Sequence, residues 1–104
     1  MQIQIRTDNH IEAHEKLRNH IEAQLMDGLR RFSGRLTHVE VHLSDTNAGK
    51  AGSDDKRCII EARLENRPPN AVSHDAETID RAVHGAIDKL QRSLTTIIEK
   101  HRNH

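Results

Sequence analysis

The sequence predicts an α+β domain: one four-stranded sheet with both helices packed on the same face, in the order β-α-β-β-β-α. Three observations carry this. From Asp75 to Lys100 the apolar residues Ile79, Ala82, Val83, Ala86, Ile87, Leu90, Leu94, Ile97 and Ile98 recur at helical spacing, an unbroken stripe along one side of a long helix. Leu36–Leu43 and Arg57–Glu65 alternate apolar and polar residues, the period of half-buried strands. Hairpin-scale connections after the first helix favour antiparallel neighbours, and both helices need an apolar surface to cover.

Each element follows in turn. Met1–Arg6 reads Met-Gln-Ile-Gln-Ile-Arg, with Ile3 and Ile5 alternating as in a strand. After a turn at Thr7–Asn9, a helix is expected between Ile11 and Phe32, with Leu17, Ile21, Leu25 and Leu29 spaced by four. Gly28 weakens its last turn by up to about 1 kcal/mol relative to alanine, and Ser33-Gly34 ends it. In Leu36–Leu43, Val39, Val41 and Leu43 point one way, and His38, Glu40 and His42 the other. Ser44–Lys56, rich in Gly, Ser, Asp and Asn, is expected to be a mobile loop. Arg57–Glu65 then turns Cys58, Ile60, Ala62 and Leu64 inward. Arg67-Pro68-Pro69-Asn70 breaks the strand, because proline cannot donate to a ladder. Ala71–His74 is a short strand, and Asp75 is expected to cap the long helix. His38, Glu40, His42, Ile59, Glu61 and Arg63 should lie on an open sheet face.

A chain of 104 residues is sized for a single domain, residues 1–104, with one modest core. Phe32 is its only aromatic residue, so the core is aliphatic and base-stacking platforms are missing. No apolar run approaches the roughly 20 residues that span a bilayer, and the N-terminus lacks a signal peptide's apolar region. A cytosolic protein without membrane contact is expected. With 16 basic and 16 acidic residues the formal net charge is zero, which argues against indiscriminate nucleic-acid binding but leaves room for a local basic patch. Nine histidines add positive charge below about pH 6.5.

Sites for catalysis are not found. His10-Ile-Glu-Ala-His14 has the histidine spacing of a zinc-protease helix, but Glu12 stands two residues after the first histidine instead of one, so no metal is expected there. Cys58, the only cysteine, has no partner for a disulfide and reads as a buried, inert thiol. Asp54-Asp55 lies in the loop, where nothing holds a geometry for acid–base work. The pentapeptide Asn-His-Ile-Glu-Ala occurs at residues 9–13 and 19–23, a coincidence rather than a repeat architecture. Neither enzymatic activity, a cofactor nor a small-molecule substrate is expected.

What remains is the charge on the helices. At about 100° per residue, the face opposite the stripe is centred on Arg81, Asp88 and Arg92, flanked by His84 and Lys89. Residues 75–88 carry four acids against Arg81, and residues 89–104 carry four bases against Glu99. This polarity suits a helix dipole, and Glu77–Arg81 and Asp88–Arg92 are spaced as i,i+4 pairs, so the pattern alone reads as a solvated face. Arg18, Arg30, Arg31 and Arg35 form a second basic group around the first helix and its exit. Side by side, the two groups would make a phosphate-binding surface.

The element order, the Met-Gln-Ile-Gln-Ile opening, the Leu17-Arg18 pair and the string Ala86-Ile87-Asp88-Lys89-Leu90-Gln91-Arg92-Ser93-Leu94 resemble the ribosome hibernation-promoting factors, also called ribosome-associated inhibitors or sigma-54 modulation proteins. The resemblance implies a fold similar to double-stranded-RNA-binding domains. It also implies a stress-response role, in which the small ribosomal subunit is bound in its mRNA/tRNA channel and translation is blocked by occupancy. Arg18, Lys89 and Arg92 match basic positions of that family. Arg30, Arg31 and Arg81 complete the expected set of ribosomal-RNA contacts. The chain ends soon after the long helix, as the family's short forms do. It departs from the family's Tyr-Ala-Ala-Ile-Asp signature, which is here Asp80-Arg81-Ala82-Val83-His84, and from first-helix lysines, which are here Gln24 and Asp27. The alternative is a protein-binding or self-associating module on the same fold, without ribosome affinity, that uses Ile59 on the open sheet face or the loop Ser44–Lys56. Oligomeric state is left open by the sequence.

Overall fold

A computed structural model describes residues 1–8, 11, 14–46 and 55–102, with side chains through residue 100. Its elements are β1 (Gln2–Thr7), α1 (Glu15–Gly28), β2 (Leu36–Asp45), β3 (Lys56–Leu64), β4 (Asn70–Ala76) and α2 (Ile79–Arg102), with a single 3-10 turn at Arg30–Phe32 after α1. The α+β order expected from the sequence is the order observed. The four strands form one sheet in chain order, β1-β2-β3-β4. β2–β3 and β3–β4 are antiparallel hairpins, whereas β1 runs parallel to β2 because α1 carries the chain back across the sheet between them.

The strands' inward residues meet both helices in one core. Val39, Val41, Cys58 and Ile60 have no exposed surface, and neither do Leu25, Leu29, Ala82, Val83, Ala86, Leu90 and Leu94 above them. A register irregularity between Leu36 and His38 lets Leu36 and Val39, three residues apart, both point inward. The opposite face carries His38, Glu40, His42, Ile59, Glu61 and Arg63, as expected. Across it the Glu40 carboxylate lies 3.5 Å from the Arg6 guanidinium and 3.8 Å from His42 Nε2.

Asp75 does not cap the long helix. It is a β4 residue, opposite Arg57 in the β3–β4 register, and the Arg57 guanidinium donates to both its carboxylate oxygens at 2.8 and 3.1 Å. That hydrogen bond holds the Asp75 carboxyl below the usual carboxylate range. α2 is capped instead by Thr78, whose Oγ1 accepts from the Arg81 backbone N–H at 3.1 Å. The strand before it therefore extends beyond the expected Ala71–His74, at both ends. His14 caps α1, its Nδ1 accepting from Leu17 N–H at 3.1 Å. The interior of the long β2–β3 loop, including Asp54, falls outside the described residues, as do His10, Glu12 and the first pentapeptide except Ile11.

The helices approach closely where α1 ends. A Cβ at Gly28 would stand 2.7 Å from Ile87 Cγ2, and the Gln91 amide donates to the Gly28 carbonyl at 2.7 Å. The intrinsic helix cost of glycine is thus outweighed by a packing need. Gly28→Ala, which would help an isolated helix, should lower stability here by about 1–3 kcal/mol as an overpacked contact. A lower urea midpoint at unchanged slope is the expected reading; a higher midpoint would contradict the helix contact.

Candidate nucleic-acid interface

Seating the stripe of α2 on β3 and β4 leaves Arg81, His84, Lys89 and Arg92 exposed on its outer side, with Asp88 half-buried among them. Together with His74, Asp80 and Gly85 they line a groove of about 550 Å³. His74 comes from β4 and rests against Gly85, where any Cβ would overlap its ring. Each cation is held differently. Arg81 makes the expected pair with Glu77, stretched to 3.9 Å between exposed side chains and hence weak. Lys89 donates to the Ser73 carbonyl of β4 at 2.8 Å, and its charge helps to hold the nearby Asp75 carboxyl below its ordinary range. The expected Asp88–Arg92 pair is not formed: Asp88 Oδ2 lies 3.7 Å from His84 Nε2. Among the described residues Arg92 has no ion-pair partner.

Arg92 and Asp88 continue this groove into a second, of about 510 Å³, which they share with Arg31, Gln91, Thr95 and Thr96. Arg31 is fixed there from two sides. It donates to Thr95 Oγ1 at 2.8 Å, and its guanidinium lies 4.8 Å from the centroid of the Phe32 ring, a cation–π contact. The Thr95 hydroxyl in turn donates to the Gln91 carbonyl at 2.7 Å. Beyond Arg31 the concave surface passes to Arg35, beside Ile98 and Glu99, and then to Arg67. The result is a run of cations, from Arg81 through Lys89, Arg92, Arg31 and Arg35 to Arg67, interspersed with Asp80, Asp88, Glu99 and Glu65, in a protein of zero net charge.

Of the six residues expected from the sequence, the structure brings Arg31, Arg81, Lys89 and Arg92 onto this run. Arg30 adjoins Arg31 but is paired with Asp27 at 3.0 Å. Arg18 is elsewhere: its Nη1 donates to the Ile5 carbonyl of β1, the opposite edge strand, at 2.8 Å. Sequence reading passed over Arg67 and His74. Arg67 sits in a proline-marked break with no periodic signal. His74 is the inward residue of a strand whose other inward positions include Asn70, bonded to Ser93 Oγ at 2.7 Å.

Among the described residues no group of three or more His, Cys, Asp or Glu side chains is placed to hold a metal. Cys58 is fully buried, and desolvation pushes its thiol up to about 12. Native protein at about pH 8 should therefore resist a thiol-labelling reagent that reacts at once in urea, since only the thiolate is nucleophilic. Rapid labelling of the folded protein would contradict this burial. Among the described residues no helix is long and apolar enough to cross a membrane.

Fold and site together define an α+β protein that presents a cation-lined helix surface around a mixed sheet. The chain belongs to the sigma 54 modulation protein / S30EA ribosomal protein family, whose model matches residues 3–102. That is a family of ribosome-associated proteins. Among solved structures, the chain is similar to the N-terminal domain of Protein Y from Thermus thermophilus, at 24% identity and TM-score 0.72, over 93% of this chain and 99% of that one. It is likewise similar to a ribosomal subunit interface protein from Coxiella burnetii, at 14% identity and TM-score 0.73, over 95% and 99%. No curated protein matches the sequence.

Proposed function

We propose that this protein is a translation-silencing factor that binds small-subunit ribosomal RNA in the mRNA/tRNA channel, with the cation run facing RNA phosphates. The observation that carries the reading is the joining of the α2 cations to Arg31 at the exit of α1, through the groove Arg92 shares with it. A zero net charge makes that concentration informative, because a uniform surface of this composition would offer no such run. Phosphate contacts position a protein on RNA without aromatic stacking, which suits a chain whose one aromatic ring is buried beneath Arg31. Inhibition by occupancy needs no catalytic group, and its setting is the bacterial cytoplasm under stress.

Within the proposed site, Arg31, Arg81, Lys89 and Arg92 make the principal contacts. Arg30 contributes once it exchanges Asp27 for phosphate. Arg18 contributes from the other flank, where its bond to Ile5 sets its position. Charge reversal at Lys89 and Arg92 should remove most co-sedimentation with small ribosomal subunits and lower the salt dependence of binding. The slope of log affinity against log salt should fall by about 0.7–0.9 for each phosphate no longer neutralised. Ile59→Lys, on the open sheet face, should leave both unchanged. Binding that survives the reversal but disappears with Ile59→Lys would move the interface to the sheet.

A further inference from the structure

The α2 groove contains imidazoles that the fixed cations do not account for. Both carboxylates among its lining residues stand beside one. Asp80 Oδ1 lies 2.9 Å from His20 Nε2 of α1 and also accepts from the Gln24 amide at 3.2 Å; Asp88 Oδ2 lies 3.7 Å from His84 Nε2. His74 enters from β4, and Gly85 allows its ring to lie against α2. The charged groups around these rings come from every neighbouring element. His84 shares the groove with Arg81, Asp88 and Lys89 of its own helix. His74 lines the same groove as Lys89 of α2 and adjoins Asp75 on its own strand, whose carboxylate feels both of them and is already engaged by Arg57 of β3.

We propose that His74 and His84 are further phosphate-contacting residues of this surface, so that RNA binding tightens as the pH falls below neutrality. The inference rests on the reading of α2 as the RNA-facing helix. With neutral imidazoles the groove holds Arg81, Lys89 and Arg92 against Asp80 and Asp88, one net positive charge among its lining residues. Protonated His84 offsets Asp88, protonated His20 offsets Asp80, and protonated His74 adds a cation next to Lys89. The groove then turns from nearly balanced to strongly positive without any movement of the chain. The sign follows directly: phosphate favours the protonated rings, so the added affinity is present where the rings carry a proton and is lost as the pH rises and they give it up. The same protonation should steepen the salt dependence, because more phosphate charge is neutralised on binding.

The test is the dissociation constant for purified small ribosomal subunits at fixed salt, near pH 6.0 and near pH 7.5, within the range where imidazole changes charge. The unmodified protein should bind about tenfold tighter at the lower pH, and the double variant His74→Gln/His84→Gln no more than about threefold tighter. A second double variant, His38→Gln/His42→Gln on the open sheet face, should keep the full ratio and so corrects for any change in the ribosome itself. His84→Gln alone, on the exposed side of α2, should reduce the ratio even if replacement of His74 disturbs folding. Equal ratios in the unmodified protein and in His84→Gln and the groove double variant would overturn the proposal while leaving the RNA-facing reading intact. Loss of the ratio in the sheet-face variant instead would do the same. Absence of binding at either pH would overturn both.

Discussion

Burial of one side of α2 sets the phase of everything on its other side. Ala82, Val83, Ala86, Leu90 and Leu94 are fully enclosed against β3, β4 and α1. Each large aliphatic side chain contributes about 1.5–3 kcal/mol by leaving water. Rotating the helix by one residue would expose several of them at once. Arg81, Asp88 and Arg92 are therefore turned outward by the core, whatever their own interactions contribute. The exposed Glu77–Arg81 pair at 3.9 Å and the His84–Asp88 contact at 3.7 Å are too weak to decide its orientation.

Two glycines and two polar contacts let α2 sit as low as it does. Gly28 admits Ile87 at the end of α1, and Gly85 admits the His74 ring from β4. Gln91 and Asn70 then reach Gly28 O and Ser93 Oγ, so each close approach is accompanied by a hydrogen bond between the same elements. The first of these contacts also brings Arg31 alongside Thr95, which joins the basic groups of the two helices. A packing requirement thus has a consequence for charge. The outer strands are treated symmetrically: Arg18 from α1 bonds a carbonyl of β1, and Lys89 from α2 bonds one of β4. Cations placed on sheet edges discourage pairing with another chain. Lys89 does this while keeping its charge at the rim of the groove.

The fold was legible because its strongest signals are periodic. The stripe of α2 and the alternation in β2 and β3 report burial directly, and those residues are buried except at the ends of α2, where Ile79, Ile97 and Ile98 are half-buried. The start of α2 was misplaced because Asp75 is a good capping residue in isolation. Its cross-strand partner Arg57, eighteen positions earlier, cannot be seen from local pattern, and Thr78 was the true cap. β4 looked short because its inward residues include Asn70 and His74, polar groups that pack against α2. At the candidate site, the outward phase of Arg81, Lys89 and Arg92 could be read from the helix period. Their junction with Arg31, and the separation of Arg18 onto the opposite edge, depend on how α1 meets α2. That is a tertiary fact. The same holds for Asp88, which faces His84 rather than Arg92.

The proposed function requires that the side of the molecule shared by α2 and the exit of α1 face ribosomal RNA. A photo-crosslinking side chain at Thr96, exposed between Arg92 and Arg31, tests it directly in a complex with small ribosomal subunits. The same group at Glu61 on the open sheet face serves as its counterpart. Crosslinks to small-subunit RNA are expected from Thr96 and few or none from Glu61. Crosslinks from Glu61 with Thr96 silent would place the ribosome on the other side of the sheet and contradict it.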